Sequence, residues 1–375
     1  MNSTTKIPAD MPKSRLLSLD ALRGFDMIWI VGGATLINTI ERNFPSEWMT
    51  KFNAQFLHVP WEGLHFFDLI FPLFMFISGA TIPLAILTKL EKGSPKRDQI
   101  IKIAKRMILL IILGTIHNGT LRDGFENARY SSILAQIGIA YFFAALIVIH
   151  TKSIKSRLIW LVSILVGYAA IQFLVPVPGY GAGDMSKEGC INVYIDTMFL
   201  PGRMGQVTYD AVGLLNIFSA IAITLMGSFA GHILRLGKYT GMKKTGILAV
   251  IGTVLVIFAL IISPFYPIIK NSWTSTYNII GGGISFLLVA LFYLIIDVWG
   301  WKKWSIIFQV VGVNSIFIYM FYKMVNISFT SKFLLGWLAK YFSEGAAAVI
   351  ISSGVLILVW LVLYFLYRKK IFFKI

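Results

Sequence analysis

The sequence contains about ten separate runs of mainly apolar residues, and this repetition most strongly limits what the chain can fold into. A bilayer core about 30 Å thick is crossed by an α-helix of about 20 such residues. The runs cover residues 16–38, 64–88, 100–117, 131–150, 157–174, 211–235, 245–263, 277–297, 305–325 and 346–367. Transmembrane β-strands would show about ten residues of alternating polarity, whereas these runs are continuous. The sequence therefore predicts an all-α polytopic membrane bundle of about ten transmembrane helices.

The formal net charge is +17. The basic residues are concentrated in every second loop instead of forming one patch, which argues against a nucleic-acid-binding protein. With the N-terminus in the cytoplasm, 23 of the 34 Lys and Arg residues fall on the cytoplasmic side, ten lie opposite, and Arg23 lies within the first helix. Short cytoplasmic loops carry an excess of Lys and Arg in membrane proteins, so the distribution predicts an N-in, C-in topology. In that orientation His58 faces outward.

The segments outside the apolar runs are short. Residues 1–15 are too polar, and the run after them too charged, for a cleaved signal peptide, so we expect the first helix to be retained. The single cysteine, Cys190, rules out an intrachain disulfide. Residues 175–210 are rich in Pro and Gly and are expected to form an outward loop or cap, too small for its own core. Residues 326–344 are expected to lie along the outer interface, and residues 1–375 to form one transmembrane domain.

Polar side chains at membrane depth are costly and therefore mark candidate functional positions. They are Asp20, Arg23, Asp26, Asp68, Asn118, Gln136, Asp297 and Asn314. Asp20 and Arg23 are three residues apart on one helix face, where a structural ion pair is the simpler interpretation. The triplet GGG at 281–283 lies inside an apolar run and indicates close helix packing better than phosphate binding. The sequence lacks metal-ligand spacings such as CxxC or HExxH, so we expect no metal site.

One histidine stands out from the rest by its neighbours. The five are His58, His65, His117, His150 and His232. His58 opens the stretch HVPWEG directly before the second apolar run, where Trp61 can exclude water and Asp68 lies about one and a half turns into the helix. An imidazole near a carboxylate can act as a general base, so His58 is the candidate catalytic residue. The alternative is a loop histidine with a structural role only.

Seven segments, in order along the chain, resemble a known enzyme family. They are RLLSLDALRGFDM (15–27), HVPWEGLHFFDLIFPLFMFISG (58–79), RYSSILAQIGIAYFF (129–143), GCINVYID (189–196), YDAVGLLNIFSAIAITLMGSFAG (209–231), KNSWTSTY (270–277), and IIDVWG followed by GVNSIFIY (295–300, 312–319). The family is that of heparan-alpha-glucosaminide N-acetyltransferase and its bacterial relatives. These multi-span acyltransferases move an acetyl group from acetyl-CoA to an amino sugar across a membrane. The resemblance covers nearly the whole chain.

The resemblance implies roles for particular residues. The histidine of the family's H-x-x-W-x-G motif is catalytic, which corresponds to His58, and Asp68 belongs to the same motif. His58 would deprotonate the attacking amine or accept the acetyl group itself, and both routes stay open. Trp61, Asn118 and Asn314 are candidate substrate-binding residues, the two asparagines as oxyanion donors by residue type.

Acetyl-CoA is expected as the donor substrate, with its phosphates near basic residues on the cytoplasmic side. The densest cluster there comprises Lys96, Arg97, Lys102 and Arg106. A role in topology alone is the alternative for these four residues.

Some positions depart from the family pattern. Gln136 in LAQIG stands where relatives have a basic residue, Ala211 and Val212 replace the Pro-Glu of YDPEG, and Tyr322 replaces a histidine. An asparagine that the family places after the RG of the first helix has no clean counterpart, Asn38 being the nearest. These departures bear on the identity of the acceptor and on activity itself.

The sequence thus predicts a multi-pass N-acetyltransferase of the bacterial inner (plasma) membrane with an outward amino-sugar or glycan acceptor. One alternative is a sugar or glycan transporter, which is disfavoured because the polar groups lie near helix ends and no internal repeat is visible. The other is a non-catalytic relative that binds glycan or lipid. Expected partners are the two small-molecule substrates, membrane lipids and a second copy in a homodimer, without nucleic acid.

Overall fold

The computed structural model describes residues 16–373, which are almost entirely helical. Its first half contains α1 (Leu17–Ile28), α2 (Ala34–Asn43), α3 (Glu47–Ala54), α4 (Ile70–Ile82), α5 (Thr88–Glu91), α6 (Lys96–His117), α7 (Thr120–Asp123), α8 (Ile133–His150) and α9 (Ile154–Leu174). Its second half contains α10 (Ile191–Phe199), α11 (Leu214–Arg235), α12 (Gly241–Ile262), α13 (Ser275–Phe292), α14 (Ile306–Val313), α15 (Ser315–Met324), α16 (Ile327–Ala339) and α17 (Glu344–Arg368). The predicted N-terminal segment 1–15 and Lys374 lie outside the described residues.

Short irregular helical pieces extend or join these helices. A π-helical segment, Trp29–Gly33, joins α1 to α2, a 3₁₀ turn, Phe66–Leu69, leads into α4, and π-helical segments follow α4 (Pro83–Leu87) and α13 (Tyr293–Val298). In the connection after α9, β1 (Pro176–Val177) pairs antiparallel with β2 (Gly181–Ala182).

Seven helices are long and apolar enough to cross a membrane, so the chain is a multi-pass membrane protein and the predicted all-α bundle is confirmed. They are Phe66–Glu91, Ile133–His150, Ile154–Leu174, Leu214–Arg235, Gly241–Ile262, Ser275–Val298 and Glu344–Arg368. The pair α14 and α15 adds an eighth crossing if it counts as one span, although it bends by 74° between Val313 and Ser315.

Two of the ten predicted runs, the first (16–38) and the third (100–117), are helical but differ from a simple apolar span. The run 16–38 is interrupted at Val31 and Gly32, where Gly32 has φ +135° and the backbone leaves the helical region. The third is α6, a helix of 22 residues whose first three turns carry six charged side chains. Length and composition therefore support seven or eight of the ten predicted crossings among the described residues.

Glycine allows the central helices to approach each other closely. A Cβ atom added at Gly79 in α4 would overlap the carbonyl oxygen of Thr224 in α11, and one at Gly227 would overlap that of Phe76. Close backbone contact of this kind is typical of helix packing in membranes. At the predicted packing triplet, a Cβ on Gly283 would lie 2.9 Å from the carbonyl oxygen of Gly252 in α12. The prediction of close packing there is confirmed.

Candidate functional site

His58 lies in the connection between α3 and α4, and two backbone contacts with another loop hold this connection in place. Gly63, with φ +117°, forms the turn after Trp61 and donates its backbone N–H to the carbonyl oxygen of Ile268 at 2.9 Å. The adjacent Glu62 forms an isolated antiparallel bridge with Ile269. The segment before α4 is thereby fastened to the loop between α12 and α13, residues 263–274.

Asp68 is fully buried and receives several hydrogen bonds from the His58 segment. Its Oδ1 lies 2.8 Å from His58 Nδ1, and its Oδ2 accepts the backbone N–H groups of Val59 at 3.3 Å and His65 at 3.0 Å. The Asp68 carbonyl oxygen accepts the Tyr277 hydroxyl at 2.7 Å. The sequence predicted that His58 and Asp68 would act together, and the structure brings them into direct contact. With Asp68 ionised, a hydrogen bond at this contact requires the His58 tautomer that carries its hydrogen on Nδ1 and its lone pair on Nε2.

Lys270 is the third member of this group, and the sequence analysis did not single it out. Its Nζ lies 3.1 Å from Asp68 Oδ1, 2.6 Å from His58 Nδ1 and 3.2 Å from His58 Nε2. Its side chain is 12% exposed, whereas that of His58 is 52% exposed. Burial lowers the pKa of Lys270 from its ordinary value of 10.5, and the Asp68 carboxylate opposes that shift. The signal available in the sequence was its place at the start of the motif KNSWTSTY. We call His58, Asp68 and Lys270 the open cluster.

A cavity of about 770 Å³ adjoins the open cluster and is lined by His58 and Lys270. Its wall is apolar along α1, α4 and α8, with residues such as Met27, Phe74 and Ile137. Its polar lining is basic: the charged residues are Arg122, Arg129, Arg203, Lys270 and Lys323, and no Asp or Glu is among the described lining residues. The cavity can therefore hold a molecule with an apolar arm and leave its reactive end beside His58.

Three of the positions that depart from the family pattern also line this cavity. They are Ala211, Val212 and Tyr322. The fourth, Gln136, is fully buried and donates its side-chain amide to the carbonyl oxygen of Asn216 at 3.1 Å. Ala211, Val212 and Tyr322 therefore lie at the cavity, whereas Gln136 does not line it.

Asn118 and His117 line the cavity at the end of α6. Both hydrogens of the Asn118 side-chain amide are committed, because Nδ2 donates to the carbonyl oxygens of Arg129 at 2.9 Å and Ser131 at 2.7 Å. In this arrangement Asn118 has no N–H left to donate to an oxyanion. The His117 ring stacks on Tyr319 with a centroid distance of 4.3 Å.

The remaining predicted substrate-binding residues lie outside the cavity lining. Trp61 donates Nε1–H to the carbonyl oxygen of Met185 at 2.8 Å and packs edge-on against Tyr209. Asn314, at the break between α14 and α15, donates to the carbonyl oxygen of Ile371 at 3.0 Å and accepts the N–H of Phe373 at 3.0 Å. Trp61 thus supports the cap next to His58, and Asn314 fixes the segment after α17.

The four basic residues expected to meet the donor phosphates are separated from His58. They lie in the first half of α6: Lys96, Arg97, Lys102 and Arg106. His117 at the other end of α6 lines the cavity, and 20 residues of helix separate it from Arg97, a rise of about 30 Å. The Arg106 guanidinium lies over the Tyr141 ring at 4.3 Å. The structure does not bring this group to the open cluster.

The other polar residues predicted at membrane depth have separate surroundings. Asp20 and Arg23 form the expected ion pair at 3.3 Å, and Asp297 accepts the backbone N–H of Ser18 at 3.2 Å. Asp26 is fully buried, and neither of its oxygens has a hydrogen-bond partner among residues 16–373. His150 Nδ1 lies 2.9 Å from the carbonyl oxygen of Leu146. Within the described chain, no group of three or more His, Cys, Asp or Glu residues is arranged to hold a metal ion.

A second polar group lies near the open cluster, and we call it the closed cluster. It comprises Tyr168, Gln172, Asn192, Asn216 and Ser272, each at most 3% exposed. Asn192 Nδ2 donates to the Tyr168 hydroxyl at 2.6 Å and to Asn216 Oδ1 at 2.7 Å, while its Oδ1 accepts from Gln172 at 2.7 Å. The Tyr168 hydroxyl donates to the carbonyl oxygen of Ser272 at 2.8 Å. Three of the family-like segments therefore meet in a network that anchors the loop carrying Lys270.

Comparison with known proteins supports the resemblance predicted from the sequence. A family model described as a domain of unknown function (DUF5009) matches residues 15–175. The chain is 28% identical to heparan-alpha-glucosaminide N-acetyltransferase of Homo sapiens over 96% of this chain and 60% of that protein. It is 27% identical to the Mus musculus protein of the same name over 85% of this chain and 56% of that protein. The chain thus spans less than two thirds of the length of these relatives, and its resemblance to them is confirmed.

Proposed function

We propose that this chain is a transmembrane N-acetyltransferase that moves the acetyl group of acetyl-CoA to the amine of an amino sugar or glycan. In this proposal residues 1–375 act as one transmembrane acyltransferase domain. The observation that carries it is the 2.8 Å contact between His58 Nδ1 and the buried Asp68 carboxylate at the edge of a cavity. The names of the relatives add independent support.

The geometry supports His58 Nε2 as the reacting atom. Asp68 holds the Nδ1–H, which orients the ring and leaves the Nε2 lone pair on the side not occupied by the carboxylate. In a direct route, Nε2 takes a proton from the acceptor amine as that nitrogen attacks the thioester carbonyl carbon. The C–S bond then breaks, the amide forms, and the thiolate takes the proton from His58 to leave as CoA thiol.

A covalent route uses the same atom. Nε2 attacks the thioester carbon, the C–S bond breaks, and CoA leaves as a thiolate while the acetyl group stays on the imidazole. The acceptor amine then attacks the acetyl carbon, the bond from that carbon to Nε2 breaks, and the proton that the amine loses converts the thiolate to CoA thiol. Both routes consume one acetyl-CoA and one amine and give one amide and one thiol. Both also need the lone pair on Nε2, which the contact with Asp68 favours.

The proposed orientation is N-in and C-in, in the inner (plasma) membrane of a bacterium, with His58 on the outward side. The distribution of Lys and Arg between the loops supports it. The separation of Arg97 and the cavity at opposite ends of α6 is compatible with that orientation. Cysteine-accessibility labelling should find position 58 reactive from the outside and position 97 only from the inside. Labelling of both from the same side would contradict the orientation.

The donor is proposed to place its phosphates near the basic half of α6. The charges of Lys96, Arg97 and Lys102 suit a polyphosphate. Charge reversal at these positions should raise the KM for acetyl-CoA, and an unchanged KM in protein that still inserts would contradict the assignment. Glu41→Lys, a charge reversal on α2, is the control.

The role of His58 is tested by thiol release from acetyl-CoA in the presence of glucosamine. His58→Ala should lower the rate about 10²–10⁴-fold, the usual cost of losing a general base, or further if a covalent route is lost. Because the His58 side chain is half exposed, the variant should insert and melt like the wild type. His150→Ala, which removes an exposed histidine that does not line the cavity, should keep wild-type activity. Retention of most acetyl transfer by His58→Ala would overturn the proposed function.

A further inference from the structure

Resting on the acetyl transfer proposed above, we propose that Lys270 is a further catalytic residue, whose ammonium group stabilises the negative charge that develops on the acetyl carbonyl oxygen beside His58.

Acyl transfer needs a hydrogen-bond donor at the place where the oxyanion forms. Such donors lie about 3 Å from the oxyanion and close to the nucleophile or base. Asn118 cannot serve in the observed arrangement, because both of its amide hydrogens are bound to backbone carbonyls. Asn314 does not line the cavity. Neither Asn118 nor Asn314, the two oxyanion donors expected from residue type, can therefore donate to the oxyanion in the observed arrangement.

Lys270 has the required position. Its Nζ is 3.2 Å from His58 Nε2, the atom proposed to react, and the residue lines the same cavity. An acetyl carbon brought within about 3 Å of Nε2 would carry its oxygen into the neighbourhood of that ammonium group. Among residues 16–373, no other Lys or Arg side chain forms a hydrogen bond or ion pair with His58 or Asp68.

Neutralising the Asp68 carboxylate does not by itself explain why the Lys270 ammonium group lies at this site. The Asp68 carboxylate already receives the Nδ1–H of His58 and the backbone N–H groups of Val59 and His65. An ammonium group has three N–H bonds, and besides the one directed to Asp68 Oδ1 its Nζ lies within hydrogen-bond distance of His58 Nε2. A structural counter-ion for Asp68 would use only that one.

The loop that carries Lys270 is held rigidly. The carbonyl oxygen of Lys270 accepts the N–H of Trp273 at 3.0 Å, and Ile269 N–H donates to Thr274 Oγ1 at 3.1 Å. Trp273 is buried with φ +46°, a left-handed conformation that is uncommon for a large side chain. Strained backbone of this kind persists where surrounding contacts enforce it and is concentrated at functional sites. The backbone that carries the Lys270 side chain is thus fixed by contacts within the chain.

In the proposed step the Lys270 ammonium group acts as a hydrogen-bond donor and transfers no proton. As the amine nitrogen or His58 Nε2 bonds to the carbonyl carbon, the C=O π pair moves to oxygen, and the Lys270 ammonium donates a hydrogen bond to that oxygen. The oxygen pair then reforms C=O while the C–S bond breaks. Lys270 keeps its proton throughout. The proton that converts the CoA thiolate to a thiol comes from the attacking amine: through His58 Nε2 in the direct route, and when the amine displaces the acetyl group in the covalent route. No oxidant, metal or further reactant is required.

The test compares Lys270→Met with Lys270→Arg in the full-length chain, measuring CoA thiol release with glucosamine. Loss of an oxyanion donor costs about 10²–10³-fold in kcat, so Lys270→Met should lose that factor with the KM of either substrate changed less than about threefold. Lys270→Arg keeps the positive charge and should stay within about tenfold of the wild type. Lys51→Met, on α3 with a side chain 76% exposed, is the matched control and should be unaffected.

The outcomes separate this inference from the proposed function. Wild-type activity that depends on His58 but survives Lys270→Met overturns the role of Lys270 and leaves the acetyltransferase intact. Equal loss in Lys270→Met and Lys270→Arg, or a loss confined to KM, also overturns it. Absence of acetyl transfer in the wild type overturns both. If Lys270→Met does not insert, Lys270→Gln, which keeps an N–H donor without the charge, should show a smaller loss of kcat with KM unchanged, and wild-type kcat in that variant would overturn the role of the ammonium charge.

Discussion

The open and closed clusters are both polar groups within an apolar helical bundle, yet they are built differently. The closed cluster consists of neutral amides and hydroxyls, and Asn192 joins three of its partners directly. The open cluster consists of a carboxylate, an imidazole and an ammonium group, with the imidazole half exposed at a cavity. Buried neutral groups that satisfy each other rigidify a core, whereas a charged group with unused hydrogen-bonding capacity can act on a ligand. The difference separates a structural network from a reactive one.

The two clusters are also connected. The loop of residues 263–274 contributes Ser272 to the closed cluster and Lys270 to the open cluster. The closed cluster therefore determines where the Lys270 backbone lies. This link predicts that changes in the open cluster alter chemistry first, and changes in the closed cluster alter stability first.

The largest expected effect in this comparison is that of Asp68→Asn. The amide would present N–H groups where His58 Nδ1–H and two backbone N–H groups now donate, so the ring would lose its orientation. In a catalytic triad the corresponding loss of orientation costs about 10⁴-fold, and we expect about 10²-fold in this half-exposed site. Thiol release measures the effect, with Asp184→Asn in the 175–210 connection as the control. Wild-type activity in Asp68→Asn would contradict the assignment of the open cluster as the reactive group.

The next effect is that of Tyr168→Phe in the closed cluster. The substitution removes two hydrogen bonds, from Tyr168 to the carbonyl oxygen of Ser272 and from the amide of Asn192 to Tyr168, at a cost of about 1–3 kcal/mol in the free energy of unfolding. Activity per folded molecule should fall less than tenfold. Thermal melting in detergent and thiol release at a permissive temperature measure the two quantities. Tyr180→Phe, which alters an exposed tyrosine, should change neither. A loss of activity without a loss of stability would place Tyr168 in the reactive group instead.

The smallest expected effect is a dependence on alkaline pH. Because burial lowers the pKa of Lys270, its ammonium form is lost at a lower pH than the ordinary 10.5. If the positive charge is needed, kcat should decline as pH rises towards that value, and Lys270→Arg should move the decline to higher pH, since an arginine stays protonated. His58 and Asp68 are the titratable groups in contact with Lys270, and both are retained in that variant. A decline at the same pH in both proteins would assign it to another group.

Much of the site could be predicted from the sequence, but only where residues are close along the chain. His58 and Asp68 are ten residues apart, so the turn HVPWEG and the segment leading into α4 were enough to pair them. Lys270 is 212 residues from His58, and its place at the start of the motif KNSWTSTY does not show which residues it would meet in the folded chain. Asn118 and Asn314 were chosen by residue type, and only the folded chain shows that backbone groups already occupy their amides.

The sequence by itself determined the class of protein. Apolar runs long enough to cross a bilayer need no tertiary information, because the membrane imposes their length and every backbone group must be bonded within the helix. Tertiary structure decided which polar residues meet, since that depends on how helices cross, and the crossings rest on small residues such as Gly79 against the backbone of Thr224. It also decided that α14 and α15 meet at 74° and that the loop before α13 turns Lys270 towards His58. Packing between residues far apart in the chain determines these features, and the order of polar and apolar residues along the sequence does not predict that packing.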